Sequence, residues 1–535
     1  MQVLLIYPQF PQGYWSFEKT LALIDRKTLH PPLGLITVAA ILPQTWEFKL
    51  VDRNVREITE AEWDWADLVI LSAMIVQRAD MLAQIKVAKQ RGKPVAVGGP
   101  YPTSLPEEPE AAGADYLVLD EGEITLPLWV EALAQGESQG TFRANGERPD
   151  VTQTPIPRFD LLEMRAYYAM SVQFSRGCPF QCEFCDIIVL YGRKPRTKTP
   201  AQFLAELDRL YELGWRAAIN IVDDNLIGNK RNVKRLLTEL KPWMAERHYP
   251  FWFQTEASVD LAQDQELMEM MVDCNVNLVF LGIETPDTES LNLTKKFQNL
   301  RHPLEEAVDT ITRTGIRVMA GFIIGFDGEK SGAGERVRQF VETTAIPTAQ
   351  LGMLQALPNT ALWHRLDQEN RLINAKAGAN PTSLMNFIPT RPLEEIVQEY
   401  LEVFGQLYDP LTYLNRTYRY CRKLGAPRHK GKYKLEGVTI WTLIRLVLLM
   451  VWKQGVVRKT RWRFWWNLGQ MYRHNPKVVV PYLATCLGIE HYVYYRQIVQ
   501  NQIKEQFVQS SPQELPPQEG LSPSIMEQQI EALTR

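Results

Sequence analysis

The stretch Ser175–Arg196 reads SRGCPFQCEFCDIIVLYGRKPR and carries Cys178, Cys182 and Cys185 in a CxxxCxxC spacing. Three thiols in one short loop do not all point into a packed core, but they can converge on a soft metal centre. Cys thiolates ligate iron–sulfur clusters, and a 4Fe-4S cube has four irons. Three Cys therefore leave one iron without a protein ligand. That iron is open to an amine and a carboxylate, the pair that S-adenosylmethionine offers. The alternatives are a structural zinc site or unrelated buried thiols. Structural zinc takes four ligands, usually paired Cys or His. No His lies within twenty residues of these Cys, and no second Cys pair exists. Gly177 and Pro179 flank the first Cys, as a tight loop around a cluster requires.

The loop resembles the signature of the radical S-adenosylmethionine superfamily, CxxxCxxC with an aromatic before the third Cys, here Phe184. The resemblance implies a cluster that cleaves S-adenosylmethionine to a 5′-deoxyadenosyl radical, which takes hydrogen from an unactivated carbon. The longer strings CPFQCEFCDI and YGRKPR resemble a narrower group, the cobalamin-binding members that methylate carbon.

A chain of 535 residues is too long for one domain and points to about three. The net charge of −3 gives no general affinity for nucleic acid. Only six Cys are present, and the three outside the motif (Cys274, Cys421 and Cys486) are scattered, so no disulfide framework is expected. An oxygen-labile cluster and few Cys suit a reducing cytoplasm. The start MQVLLIYPQF reads as a strand, lacking the basic region and cleavage site of a signal peptide. No apolar run reaches about 18 residues without charge, so no transmembrane helix is expected.

Working outward, residues 1–145 alternate strand and helix. Apolar strands are expected at 3–7, 48–52, 68–72, 94–98 and 116–120, with helices such as 33–42 and 77–89 between them. Five such strands predict a doubly wound parallel sheet. Ligands bind outside the carboxyl ends of these sheets. The residues there are Asp52, Ser72, Gly98, Gly99, Glu121, Gly122 and Glu123. No GxGxxG follows the first strand, which argues against a nicotinamide cofactor. PPLGL, VDRNVRE, VGGPYPTSLPEE and DEGEITL resemble strings of the cobalamin-binding domain found ahead of radical S-adenosylmethionine barrels. The resemblance makes these residues candidates for holding cobalamin. The cobalt-ligating His that many such domains supply through DxHxxG has no counterpart, because the matching region reads DRNVRE. No His ligand is therefore expected from this domain. A sheet that only scaffolds the barrel is the alternative.

Residues 146–165, with TPIPRFD, read as a linker. Residues 166–385 then give six βα repeats, which predict an open (β/α)6 barrel with its site at the carboxyl ends of the strands. A helix over 233–240 is expected to end or kink at Pro242. Polar residues cluster at the strand ends: Asp223, Asp224 and Asn225, then Glu256, then Glu284, then GFIIG at 321–325. By resemblance, Asp223, Asp224 and Asn225 occupy the family position that binds the methionine amino group. Glu256 and Glu284 are placed for the ribose or the amine. Gly321 and Gly325 match GxIxG, the strand along the adenine, which Phe184 also touches. Taken singly, a carboxylate at a strand end is often a helix cap.

Residues 386–508 turn helical, and Arg422–Lys477 holds many Lys and Arg with a single acid, Glu436. Interleaved Trp residues suit an anionic membrane surface, at the inner or photosynthetic membrane face. A cap over the site with a solvated basic face is the plainer reading. No nucleic-acid recognition motif is present. Residues 509–535 read as a disordered tail. The C-terminal region resembles that of hopanoid C-2 methylases and bacteriochlorophyll side-chain methylases. That resemblance implies a lipophilic polycyclic substrate, hopanoid-like or tetrapyrrole, and an external electron donor of flavodoxin or ferredoxin type. The expected activity is thus a cobalamin-dependent radical C-methyltransferase. The alternatives are a non-methylating radical enzyme, such as an anaerobic ring cyclase, and a cobalamin- or redox-sensing binding protein.

Overall fold

A computed structural model describes residues 1–373, 383–429 and 440–509. The expected disordered tail lies outside them, apart from Gln509. Two six-stranded parallel sheets organise the chain. In the first, the strand Gln2–Tyr7 pairs with Glu47–Asp52 on one side and with Leu68–Ser72 on the other. Val95–Gly98, Tyr116–Val118 and Gly140–Phe142 continue outward from there. The last strand makes six where the sequence pattern gave five. It is three residues long with no buried residue, so it has no apolar signature. Val3–Ile6 are wholly buried, because helices cover both faces of the sheet. Leu33–Ile41 and Gly122–Ala134 lie on one face, and Arg78–Gln90 lies on the other. Strand order reverses at Gln2–Tyr7, and that switch point opens a crevice at the carboxyl ends.

The second sheet runs in sequence order through Ala169–Val172, Ala218–Ile221, Trp252–Ala257, Val276–Glu284, Arg317–Ile324 and Ala349–Met353. All pairings are parallel and the first and last strands do not pair, which makes an open (β/α)6 barrel. The helix Lys230–Glu246 passes through Pro242 instead of ending there. Its apolar stripe, Val233, Leu236, Leu237, Leu240, Trp243 and Met244, is buried on both sides of the proline, and that packing outweighs one lost backbone hydrogen bond. Between the sheets, residues 146–165 are short turns with Val151 and Phe159 buried.

Beyond the barrel the described chain is helical: Leu393–Leu407, Pro410–Lys423, Ile440–Trp452, Arg461–His474, Val479–Leu487 and Ile489–Gln509. Asp409 caps the second of these by accepting from Leu411 N and Thr412 N, with Pro410 in the first turn. No described helix is long and apolar enough to cross a membrane. Leu393–Leu407 packs on Ala349–Met353, so the helical region covers the open edge of the barrel.

Candidate active site

The Cys loop leaves the first barrel strand and is fastened at its entry by the end of the next. Asp223 accepts from Phe174 N, Ser175 N and Ser175 Oγ at 2.7, 2.8 and 2.6 Å. Asp224 accepts from Gly177 N at 2.7 Å. Gly177 has φ +92°, and a Cβ there would sit 2.9 Å from Gly192 O and 3.1 Å from Lys194 O. Only glycine fits where the loop passes its own return leg. Asn225 Nδ2 reaches toward Cys178 Sγ at 4.0 Å and donates to Ser258 Oγ at 3.1 Å, while its buried Oδ1 has no partner. Gln298 Nε2 donates to Cys182 Sγ at 3.5 Å. Among the described residues no three His, Cys, Asp or Glu are gathered tightly enough to hold a single metal ion. Burial pushes the Cys178 and Cys185 thiols up. Burial opposes the charge on Lys296, but Glu284 and the Cys182 and Cys185 sulfurs outweigh it and raise its pKa.

One cavity of about 1890 Å³ spans both sheets at their carboxyl ends. Pockets for one small ligand run to roughly 300–1,000 Å³, so this cavity has room for more than one. Asp224 and Glu256 line it from the barrel. Glu256 lies deep among protein atoms, yet its side chain is exposed to the cavity it lines and forms no hydrogen bond or ion pair with a described residue. Burial, with the charges of Asp224 and Glu284, pushes it up to about 7. Burial likewise pushes Asp224 up to about 7, against the Gly177 hydrogen bond. Glu284 sits at φ +65° and is ion-paired with Lys296. Lys296 in turn lies 5.7 Å from the Phe184 ring.

From the N-terminal sheet, Ser72, Gly98, Gly99, Glu121, Gly122 and Glu123 line the same cavity. A Cβ on Gly98 would meet Val118 O at 2.7 Å, and one on Gly99 would meet Ser72 Oγ at 2.5 Å, so this floor stays flat. Glu121 is buried and its carboxylate is ringed by Arg196 at 2.8 Å, Arg176 at 3.0 Å and Arg148 at 3.6 Å. Glu123 pairs with Arg176 at 2.7 Å and accepts from Thr154 Oγ1. Burial works to raise Glu123, but those partners prevail and hold it down at about 2. Arg176 stands two residues before Cys178, so these ion pairs tie the N-terminal sheet directly to the Cys loop.

Other expected residues sit apart from the cavity wall. Asp52 is buried, accepts from Asn54 N and Nδ2, and takes a 3.1 Å bond from Tyr167 Oη. Asp223 is committed to the loop entry. Phe184 packs on Phe326 at 5.8 Å. Gly321 leaves room for the Phe280 ring, and Gly325, at φ +99°, lies under Met385 and donates to Glu329. The sequence reading passed over Arg176, Arg196 and Gln298, whose partners lie far along the chain, and Lys296, whose partner Glu284 lies 12 residues back. It also passed over His30, which lines the cavity, sits 3.4 Å from Gln254 and is pushed down to about 4 by burial. Its only signal is its place beside Pro31 and Pro32.

Against known proteins, the B12 binding domain family matches residues 19–129, and the Radical SAM superfamily matches residues 172–341. A domain of unknown function, DUF4070, matches residues 360–505. An uncharacterized methyltransferase of Synechocystis sp. is 64% identical over 95% of this chain and 94% of its own. The hopanoid C-2 methylase of Rhodopseudomonas palustris is 34% identical over 86% of this chain and 88% of its own. The chain belongs to the B12-binding radical S-adenosylmethionine methyltransferases. Among solved structures, the cobalamin-dependent radical enzyme OxsB gives a TM-score of 0.57 at 17% identity, covering 96% of this chain and 84% of that one. The radical methyltransferase TsrM of Kitasatospora setae gives 0.56 at 16%, covering 69% and 78%. These likenesses show the fold.

The cofactors of this radical methyltransferase are a 4Fe-4S cluster, S-adenosylmethionine and cobalamin. The residues present fit them. Three thiols in one loop, two of them facing amide N–H donors, are the donor set of a cluster with an open iron. Two carboxylates with raised pKa facing one space suit a ligand that carries positive charge. The glycine floor lets the backbone meet a large planar ring.

Proposed function

We propose that this methyltransferase acts on an unactivated carbon of a lipophilic polycyclic small molecule of the hopanoid kind. The observation that carries the reading is the large cavity, whose wall is mostly apolar and runs from the glycine floor into the barrel, past Trp15, Leu278, Phe280 and Met319. The hopanoid C-2 methylase of Rhodopseudomonas palustris supports the class. The Chlorobaculum tepidum bacteriochlorophyllide d C-12(1)-methyltransferase is more distant, at 22% identity over 69% of this chain.

Each residue then has a role. Cys178, Cys182 and Cys185 hold the cluster, with Asn225 and Gln298 donating to sulfur and Lys296 offsetting its negative charge. Asp224 and Glu256 take the cationic end of S-adenosylmethionine. A cation between them relieves their repulsion and returns both carboxyls to the ionised form. Ser72, Gly98 and Gly99 receive cobalamin, and the ion pairs of Glu121 and Glu123 set the distance between that floor and the Cys loop. When bound, these cofactors supply the carbon radical and the methyl group. The apolar wall orients the substrate and keeps water from the reacting carbon. Reducing power comes from a separate one-electron donor of flavodoxin or ferredoxin type.

The test is an anaerobic incubation of the reconstituted protein with methyl-labelled S-adenosylmethionine, offered a hopanoid in one vessel and a bacteriochlorophyllide in another. A labelled hopanoid heavier by one methylene is the expected product. A labelled tetrapyrrole with unreacted hopanoid would overturn the substrate class, and an unlabelled, oxidised product would overturn methyl transfer.

A further inference from the structure

The helical region carries a face that the fold leaves open to solvent. On Ile440–Trp452 the apolar side chains Trp441, Ile444, Leu448 and Trp452 share one stripe, and Trp441 is 75% exposed. The turn that follows adds Val456 and Val457, and Arg461–His474 adds Trp462, Trp465, Trp466 and Tyr472. Arg461–His474 is fastened to that turn, because Trp465 Nε1 donates to Gly455 O at 2.9 Å. Exposed tryptophans at this density are out of place on a surface that meets only water.

The charges around them have one sign. Arg445, Lys459, Arg461, Arg463, Arg473 and Lys477 form no ion pair with a described residue. From residue 440 to residue 490 the sole acid is Glu490, and it is taken up by Lys453, Gln454 and Arg458. Residues 440–490 therefore offer aromatic and aliphatic side chains with unpaired cations among them and no unpaired carboxylate of their own. No described helix is long and apolar enough to span a bilayer, so a lipid surface would be met from one side. Interfacial Trp and Tyr beside Lys and Arg suit the headgroup level of an anionic bilayer.

The same face adjoins the cavity. Val480, 75% exposed, lines the cavity together with Ala484 and Leu487 of Val479–Leu487, the helix that packs against Arg461–His474. On the other flank, Ile440–Trp452 packs against Ala22–Ile24, next to Leu21 and Ile24 of the cavity wall.

We propose that this face docks the enzyme on an anionic lipid bilayer and sets the cavity beside the lipid, so that the substrate passes between them without crossing water. The passage rests on the lipophilic-substrate reading above; the docking does not. The test is flotation of the full-length protein with vesicles of phosphatidylglycerol and phosphatidylcholine in equal amounts, against phosphatidylcholine alone. Binding is expected to the anionic vesicles and to fall as salt rises. In the doubly substituted Trp462→Ser, Trp466→Ser protein, partitioning is expected to weaken about ten-fold or more. Both residues are exposed, so the thermal midpoint should not move; Arg461→Glu, Arg463→Glu provides a second disruption that reverses charge and leaves the tryptophans in place. Failure of the wild type to float would overturn the proposal, as would unaltered flotation of both variants. A wild-type dimer that the Trp substitutions dissociate, without vesicle binding, would assign the face to a second copy and equally overturn it. Substrate class is read separately from product mass, so a tetrapyrrole product would remove the passage and leave the docking standing.

Discussion

The seam beside the Cys loop is ionic, and the seam beside the C-terminal helices is aromatic. Both join the N-terminal domain to the rest of the chain. At the first, Glu121 and Glu123 meet Arg148, Arg176 and Arg196. At the second, Tyr14 meets Tyr408 through their hydroxyls at 2.8 Å, and the His491 ring stacks on Phe17 at 4.4 Å. Tyr408 also donates to Ala349 O and accepts from Ala349 N, which leaves Tyr14 as the donor between the two hydroxyls. Tyr408 and Tyr492 stack at 4.5 Å. Ion pairs are directional but costly to bury, so they fix geometry more than they add cohesion. Aromatic area adds cohesion over a broad range of geometries. The chain puts geometry beside the Cys loop and cohesion beside the C-terminal helices, where Tyr14, Phe17 and Tyr492 also line the cavity.

The largest stability effect should come from breaking the aromatic seam. Tyr408→Ala removes a buried ring and should cost about 4 kcal/mol in chemical denaturation, while iron bound per folded molecule stays at the wild-type level. Glu121→Gln is the converse case. It removes the buried charge that balances three arginines and should cost about 3 kcal/mol. Here iron loading of the folded fraction should fall as well, because Arg176 leads into Gly177 and Cys178. Equal iron loading in the two variants would erase the distinction between the seams.

Acid sharpens the comparison next. Burial lowers the His491 pKa from 6.5 to about 4, against its hydrogen bond to Tyr14 O. The folded state thus favours the neutral ring. Its contribution is complete above the unfolded value and is lost as pH falls from there toward the folded one. Between about pH 8 and about pH 5 this amounts to about 2 kcal/mol. The loss should appear as the difference between the stability–pH curves of the wild type and His491→Gln. Parallel curves would mean that the ring does not titrate as its burial dictates. The smallest effect is expected from Tyr14→Phe, which deletes one hydrogen bond and keeps the ring, costing about 1 kcal/mol in the same measurement.

How much the sequence foretold follows from where each signal lies. The CxxxCxxC loop, the alternation of strand and helix and the carboxylates at strand ends are local patterns, and both sheets followed them. Asp224, Glu256, Ser72 and the Gly98–Gly99 pair came together on one cavity because strand ends share a side of a parallel sheet. Asp52 and Asp223 sit at strand ends too, yet they serve turns and the loop entry, a choice made by rotamer and neighbour that spacing does not encode. The arginines of the ionic seam reach across 27 to 75 residues, Lys296 acts through Glu284 on another element, and Gln298 reaches a thiol 116 residues away. No local pattern marks such pairs. Gly140–Phe142 and the continuation of the helix past Pro242 were set by tertiary packing in place of propensity.

The most direct test of the whole account is an anaerobic reaction of the reconstituted enzyme with reductant, S-adenosylmethionine, cobalamin and a hopanoid, in wild type and in Cys182→Ala. 5′-Deoxyadenosine and S-adenosylhomocysteine are measured in the same vessel. The account predicts both products in the wild type and neither in the variant, whose iron content should also collapse. S-adenosylhomocysteine formed undiminished by Cys182→Ala would show methyl transfer that does not need the three thiols, and would contradict it.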